Sequence, residues 1–125
     1  VADQVGAPTS AALIADVTRG VIERIAASQA PDDLAGTYHL TAKGSTSWHG
    51  YAAHIVRETL AANEKLALSL DALKPISTAE YPTPAKRPAN SRLNCSKLMD
   101  RFDIVLPAWQ DGVDDVLARL RAVGD

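Results

Sequence analysis

Residues 3–18 read DQVGAPTSAALIADVT and predict an extended segment, a turn and a helix in immediate succession. Residues 1–3 are typical of a strand end. Gly6 tolerates a positive φ, and Pro8 stands where the start of a helix accepts proline. Residues 10–27 then carry apolar side chains at helical spacing, which are Leu13, Ile14, Val17, Val21 and Ile25. This succession predicts an amphipathic helix that follows a strand, as in α/β folds.

The next segments continue the alternation of extended and helical patterns. GTYHLT at 36–41 is short, β-branched and aromatic, and it predicts a buried strand. A second helix is expected after KGSTSW, with Ser45 or Thr46 as its cap. Its apolar face consists of Trp48, Ala52, Ile55, Val56 and Leu60. Trp48 lies on this face, so we expect it to pack in the core, as we do for Trp109.

The second half of the chain is more mixed. Residues 63–73 fit a helix and a strand equally well, and 75–81 are expected to be extended. SKLMDRFD at 96–103 predicts a short helix, and 106–123 predict a final helix. Two strands at most are clear, which is too few for a complete doubly wound sheet. Since the chain also begins with Val1 rather than Met, we expect a piece of a longer protein.

The bulk composition restricts the class of protein. A chain of 125 residues corresponds to one domain, and 46% hydrophobic with 22% charged residues is typical of a globular one. A net charge of −2 and an isoelectric point near 5.9 argue against a general nucleic-acid-binding protein. Cys95 is the single cysteine, which fits a reducing cytoplasm. No apolar run is long enough to span a bilayer, so no membrane association is expected.

Several kinds of reactive site are missing from the sequence. No G-x-G-x-x-G turn occurs, and no tyrosine has a lysine four residues later, so we expect neither cofactor-binding nor catalytic residues in this chain. His49 and His54 lie five residues apart, a spacing that separates their side chains around a helix, and His39 lies in the predicted strand. We therefore expect histidines that are structural or solvated, and no metal site. Cys95 is expected to be a buried or half-buried structural residue.

Residues 81–94, YPTPAKRPANSRLN, form the most unusual segment. Three prolines exclude regular structure, and three basic side chains lie among them. Because Arg87 directly precedes Pro88, its backbone is restricted and its guanidinium would suit two-point binding of phosphate oxygens. Asn90 and Ser91 could add neutral hydrogen bonds. From the pattern alone, a solvated linker and a loop that presents cations to an anion both stay open.

A resemblance emerges from these segments taken together. DQVGAPTSAALIADVT, GTYHLTAKGSTSWHGYA, PISTAEYPTPAKRPANSRLN, SKL and LPAWQDGV resemble the C-terminal part of the dTDP-4-dehydrorhamnose reductase family. The resemblance runs from Ala2 to about Leu120 and is weakest over 61–73. It implies an α/β fold that is the C-terminal part of an NAD(P)-binding, Rossmann-type extended short-chain dehydrogenase/reductase. Such a part has few strands and several helices and lacks the N-terminal βαβ units.

The resemblance also implies an activity. Members of the family are cytoplasmic enzymes that reduce dTDP-4-dehydro-L-rhamnose with NADPH to dTDP-L-rhamnose, the donor for cell-envelope rhamnose. Residues 1–125 would then be the C-terminal substrate-binding portion. The N-terminal portion, absent from this chain, would bind NADPH and carry the Tyr/Lys catalytic pair.

The same resemblance assigns residues to the substrate site. Arg87 falls where related nucleotide-sugar enzymes place an arginine of an Arg-Pro motif against the diphosphate, and Asn90 and Ser91 follow it in the pocket-lining loop. The GAPT turn implies further lining residues, which are Gln4, Pro8 and Thr9. The resemblance also allows a homodimer, in which the partner is a second copy of the same chain. Some members link the dimer through Mg²⁺ and an acidic residue early in the first helix, but this chain has Ala11 and Ala12 there, so we expect no metal site.

Two other functions remain as alternatives at this point. One is a non-catalytic regulatory or accessory subunit built on the same nucleotide-sugar fold. The other is a nucleic-acid-binding module that uses the basic loop, which the acidic isoelectric point and the lack of aromatic residues beside Lys86 and Arg87 disfavour.

Overall fold

The structure, a computed structural model, describes residues 1–124 and has the α/β class expected from the sequence. Its four α-helices are α1 (Ala11–Ala27), α2 (Trp48–Ala61), α3 (Ser96–Phe102) and α4 (Trp109–Gly124). Its two strands, β1 (Val5–Gly6) and β2 (Thr46–Ser47), form an antiparallel pair. Short 3-10 turns lie at Pro31–Leu34, Leu70–Ala72 and Thr78–Glu80.

Helix α1 forms where the apolar spacing predicts it. The Ser10 hydroxyl accepts a hydrogen bond from the Leu13 N–H over 3.2 Å, and this cap satisfies one of the free donors at the helix start. Val17 is buried, whereas Ile14 and Ile25 are exposed at the margins of the apolar face. One side of α1 is therefore fixed in the core, and the other faces outward.

Two apolar clusters make up the core. The first joins α1 to α3 through the buried residues Val17, Leu98, Phe102 and Leu106. The Tyr38 ring meets the Phe102 ring edge-on, with 5.1 Å between centroids. Burial of an aromatic side chain of this size makes a large contribution to stability.

The second cluster joins α2 to α4 through Ala42, Trp109 and Val113, with Tyr51 and Ile55 packed against them. Leu13 contacts both clusters, so α1 links the two halves of the core. The His54 Nε2 lies 2.6 Å from the Asp114 carboxylate and adds a polar contact between α2 and α4.

Three expectations about strand positions and helix caps are wrong in detail. The predicted strand at 36–41 does not form, because a strand needs a paired backbone and no neighbouring backbone pairs with these residues in the described part of the chain. Tyr38 packs on α3 there instead, and its hydroxyl donates to the Leu34 carbonyl over 2.8 Å. The first strand lies at Val5–Gly6 rather than at 1–3.

The third difference concerns the start of α2. Ser47 caps this helix, rather than Ser45 or Thr46, since its hydroxyl accepts from the Gly50 N–H over 3.1 Å. Residues 63–73, for which the sequence leaves helix and strand both open, hold the 3-10 turn Leu70–Ala72. The expectation that residues 75–81 are extended is wrong over Thr78–Glu80, which form a 3-10 turn. Among residues 1–124, no helix has the length and apolar character needed to cross a membrane.

Candidate functional site

Three short lengths of backbone lie side by side at the start of α1. Strand β1 pairs with β2 on one edge, Val5 opposite Ser47 and Gly6 opposite Thr46. On its other edge, the Val5 N–H donates to the Ala89 carbonyl and the Val5 carbonyl accepts from the Ser91 N–H, both over 2.9 Å. This parallel contact places the proline-rich loop against the β1–α1 turn, although the two lie more than eighty residues apart in sequence.

A cleft of about 560 Å³ opens where these three segments meet. The β1–α1 turn, the start of α2 and the proline-rich loop each form part of its wall. The lining residues are Gln4, Val5, Gly6, Ala7, Pro8, Thr9, Thr46, Ser47, Trp48, Tyr51, Arg87, Pro88 and Ser91. A volume of this size is in the range of small-molecule sites in proteins.

Five of the six predicted site residues line this cleft, namely Gln4, Pro8, Thr9, Arg87 and Ser91. Asn90 does not line it. Its carboxamide oxygen accepts from the Arg92 backbone N–H over 3.1 Å and from the Arg92 Nε over 3.0 Å. Asn90 therefore shapes the loop, and a direct contact between Asn90 and a substrate stays a prediction.

Arg87 gives the cleft a positive charge. The residue is exposed, and its guanidinium has no hydrogen-bond or ion-pair partner within residues 1–124. Lys86 beside it is also exposed but is not part of the cleft wall. An unpaired guanidinium in a cleft suits an anion with two accessible oxygens, such as a phosphate or a carboxylate.

Thr9 connects the turn to the centre of the molecule. Its hydroxyl donates to the Ala7 carbonyl over 2.9 Å and accepts from the Ala42 N–H over 3.1 Å. Both hydrogen-bonding roles of the hydroxyl are thus used inside the protein. Thr9 fixes the shape of the cleft wall at this point.

The wall at Gln4 is held through Thr78. The Gln4 side-chain amide donates to the Thr78 hydroxyl over 3.1 Å. The Asp3 carboxylate accepts from the Thr78 hydroxyl over 2.7 Å and from the Thr78 N–H over 2.9 Å. These hydrogen bonds hold the pKa of Asp3 below its ordinary value, and the bond from the Thr78 hydroxyl has the largest effect. The Ser77 N–H and hydroxyl similarly lower the pKa of Glu80.

The loop and β1 approach each other closely at Gly6. A Cβ at this position would lie 3.2 Å from the Ser91 Oγ, a tighter contact than Cβ atoms usually make. The Ser91 hydroxyl also donates weakly to the Val5 carbonyl, over 3.3 Å. Glycine at position 6 therefore allows the loop to lie directly against β1.

Trp48 and Tyr51 are cleft residues that the sequence did not assign to a site. Trp48 is 62% exposed, so the prediction that it packs in the core is wrong. Trp109, predicted in the same way, is buried at 6% exposure. The signal that could have found Trp48 is its position as the first residue of α2, since the core contact of this helix begins one turn later, at Tyr51 and Ile55.

His49, His54 and Cys95 make contacts within the protein. His49 Nε2 lies 3.0 Å from the Leu73 carbonyl, and His54 pairs with Asp114. Cys95 is half-buried, as expected, and its Sγ lies 3.5 Å from the Thr41 hydroxyl. Across the part of the chain that the structure describes, no three His, Cys, Asp or Glu side chains are grouped as metal ligands.

Comparison with known proteins agrees with this architecture. Over 118 residues the chain is 49% identical to a dTDP-4-dehydrorhamnose reductase of Shigella flexneri, a match that covers 94% of this chain and 38% of that protein. The chain thus spans well under half the length of the relatives that it matches.

Two solved structures have a similar fold. One is a dTDP-4-dehydrorhamnose reductase ortholog from Clostridium acetobutylicum, with a TM-score of 0.73, 31% identity, and coverage of 97% of this chain and 38% of that one. The other is a dTDP-4-dehydrorhamnose reductase from Bacillus anthracis in complex with NADP, with a TM-score of 0.72, 29% identity, and coverage of 94% and 36%. A family model described as the RmlD substrate binding domain matches residues 1–122. On this match the chain belongs to the RmlD substrate binding domain family.

Proposed function

We propose that residues 1–125 are the C-terminal, nucleotide-sugar-binding portion of a reductase that converts dTDP-4-dehydro-L-rhamnose to dTDP-L-rhamnose with NADPH. The observation that carries the proposal is the cleft of a substrate-binding-domain chain, which is lined both by the β1–α1 turn and by Arg87, a residue with no partner among residues 1–124. The relatives named above, all dTDP-4-dehydrorhamnose reductases, supply the substrate and the reaction. The solved relative in complex with NADP supports the cofactor.

The proposed chemistry divides between this chain and the rest of the enzyme. Reduction of the 4-keto group adds a hydride to carbon and a proton to oxygen, and NADPH is the hydride source when it is bound. Residues 1–125 contain no glycine-rich phosphate-binding turn and no Tyr-x-x-x-Lys pair, so they do not fit the cofactor. We assign to them substrate binding alone.

Arg87 is the central residue of the proposed substrate site. Its guanidinium can donate two parallel hydrogen bonds to the diphosphate of the nucleotide sugar. A diphosphate held in this way fixes the distance and direction of the attached keto sugar. Binding energy from such a remote group can be used to orient the reacting carbon, and this positioning can lower the barrier by several kcal/mol.

Two further features belong to the proposal. We place the enzyme in the cytoplasm, where the free thiol of Cys95 would stay reduced. We also propose that the enzyme forms a homodimer, and this part of the proposal rests on the family resemblance alone. No metal ion is proposed, since α1 begins with Ala11 and Ala12 where a metal-linked dimer would need an acidic side chain.

An activity assay tests the proposed function. The full-length gene product, mixed with NADPH and dTDP-4-dehydro-L-rhamnose, should oxidise NADPH and yield dTDP-L-rhamnose, whereas residues 1–125 alone should do neither. If the full-length product binds the nucleotide sugar but does not oxidise NADPH, the proposed reductase activity is contradicted and the accessory-subunit alternative is favoured. Turnover by residues 1–125 alone would contradict the division of roles.

A further inference from the structure

We propose that Trp48 is the platform on which the nucleobase of the bound nucleotide stacks. The inference rests on the proposed function, because it concerns the same cleft and assumes a nucleotide ligand. It adds a specificity-determining residue to the cleft that Arg87 also lines.

The exposure of Trp48 is the first observation. Trp48 is 62% exposed and so presents a large apolar area to water, and it forms part of the wall of the cleft. Exposed aromatic area in a concave site is typical of a binding surface. A nucleobase would cover this ring and replace the water on it.

The backbone that carries Trp48 is held in place. Trp48 is the first residue of α2 and directly follows β2, which pairs with β1. The Ser47 hydroxyl caps the helix through the Gly50 N–H, and the His49 N–H donates to the Val1 carbonyl over 2.9 Å. The ring can therefore meet a ligand without ordering its own backbone first.

The Trp48 side chain also packs against a second aromatic ring. The Tyr51 ring meets the Trp48 ring edge-on, with centroids 6.3 Å apart and planes at 67°. Tyr51 in turn meets the buried Trp109 ring at 6.3 Å and 70°. This edge-to-face series joins the platform to the α2–α4 core, an arrangement that aromatic rings favour.

The width of the site fits a nucleotide. Strands β2 and β1 and residues 89–91 are three adjacent chains, and adjacent chains in a sheet lie about 4.8 Å apart. The outer chains are thus about 10 Å apart, with Trp48 following one and Arg87 preceding the other. That separation is comparable to the span between the base and the diphosphate of an extended nucleotide.

Calorimetric titration of the full-length gene product with dTDP tests the platform, because dTDP contains the base and the diphosphate but no hexose. Base stacking on an aromatic residue predicts that Trp48→Ala weakens dTDP binding about tenfold or more. Trp48→Leu, which keeps apolar bulk at the helix start, should weaken it similarly, whereas Trp48→Phe should retain most of the affinity. Tyr81→Ala is the matched control, since Tyr81 is 60% exposed and lies outside the cleft wall.

The outcomes separate this inference from the proposed function. If the wild-type protein binds dTDP and neither Trp48→Ala nor Trp48→Leu changes the affinity, the platform is wrong and the nucleotide site stands. If these variants weaken the binding of dTDP-L-rhamnose but not the binding of dTDP, Trp48 contacts the hexose and the platform is again wrong. If the wild-type protein does not bind dTDP, the proposed function fails as well.

Discussion

The Val5 N–H donates to the Ala89 carbonyl over 2.9 Å, and this hydrogen bond joins the turn before α1 to the proline-rich loop. The chain is held a second time just before the loop, where Asp3 and Gln4 bond to Thr78. Between these two ties lie the exposed residues of the loop, Arg87 among them. The linker interpretation of 81–94 is thus disfavoured, because a solvated linker would not be hydrogen-bonded on both sides to the segment Asp3–Val5.

Thr9 should be a positioning residue whose hydroxyl stabilises the cleft. Thr9→Val removes the hydroxyl at nearly constant volume and leaves the Ala42 N–H without its partner. We expect a loss of about 1–3 kcal/mol in the free energy of unfolding, measured by denaturant titration of the full-length gene product. Thr9→Ser keeps the hydroxyl and serves as the control. Equal stability of Thr9→Val and the wild type would contradict this role.

Phe102 should carry much of the stability of the α1–α3 cluster. The residue is 3% exposed and packs edge-on against Tyr38, so Phe102→Ala would remove a large buried ring and leave a cavity. The expected cost is about 3–5 kcal/mol in unfolding free energy. Val105→Ala, at a position that is 88% exposed, should change it by less than about 0.5 kcal/mol. Similar losses in the two variants would show that the cluster is wrongly described.

The tie between Asp3 and Thr78 should depend on pH in one direction. The hydrogen bonds from Thr78 lower the pKa of Asp3 in the folded protein. A lowered carboxyl pKa contributes stability that is fully present above the ordinary value, about 4, and is lost as the pH falls through the folded-state pKa. The amide resonance of Thr78 should therefore report a transition below pH about 4.

Two variants isolate this transition. Asp3→Asn cannot titrate and should abolish the change at the Thr78 amide. Glu80→Gln removes the neighbouring carboxylate, which bonds to Ser77, and should leave the change at Thr78 in place. A Thr78 transition that persists in Asp3→Asn, or one centred above the ordinary aspartate pKa, would contradict the assignment.

Local patterns in the sequence predicted the helices better than the strands. Helices α1 and α3 lie where their apolar spacing indicates, since a helix forms its hydrogen bonds within its own segment. The predicted strand at 36–41 failed because pairing depends on a distant backbone that no local pattern reveals. Helix α4 begins at Trp109 rather than at the predicted residue 106. At this start, the Trp109 N–H donates to the distant Lys43 carbonyl.

The site could be predicted only in part for the same reason. The prolines around Arg87 indicated an irregular loop, and the family resemblance supplied its candidate substrate-binding residues. The segment that lies beside this loop is fixed by the hydrogen bonds of Val5 with residues 89 and 91, which are distant from it in sequence. Trp48 was misassigned because helical spacing places a residue on a face without showing where that face ends. At the first turn of α2, the apolar face extends beyond the α4 contact and into the cleft.

The most direct test of the substrate site compares Arg87→Ala with Lys86→Ala in the full-length gene product, by calorimetric titration with dTDP-L-rhamnose. Both variants remove one positive charge from the same exposed loop, but only Arg87 lines the cleft. We expect Arg87→Ala to weaken binding by about 2 kcal/mol, roughly thirtyfold, and Lys86→Ala to leave it within about threefold of the wild type. An unchanged affinity in Arg87→Ala, or an equal loss in both variants, would contradict the assignment of Arg87 to the diphosphate.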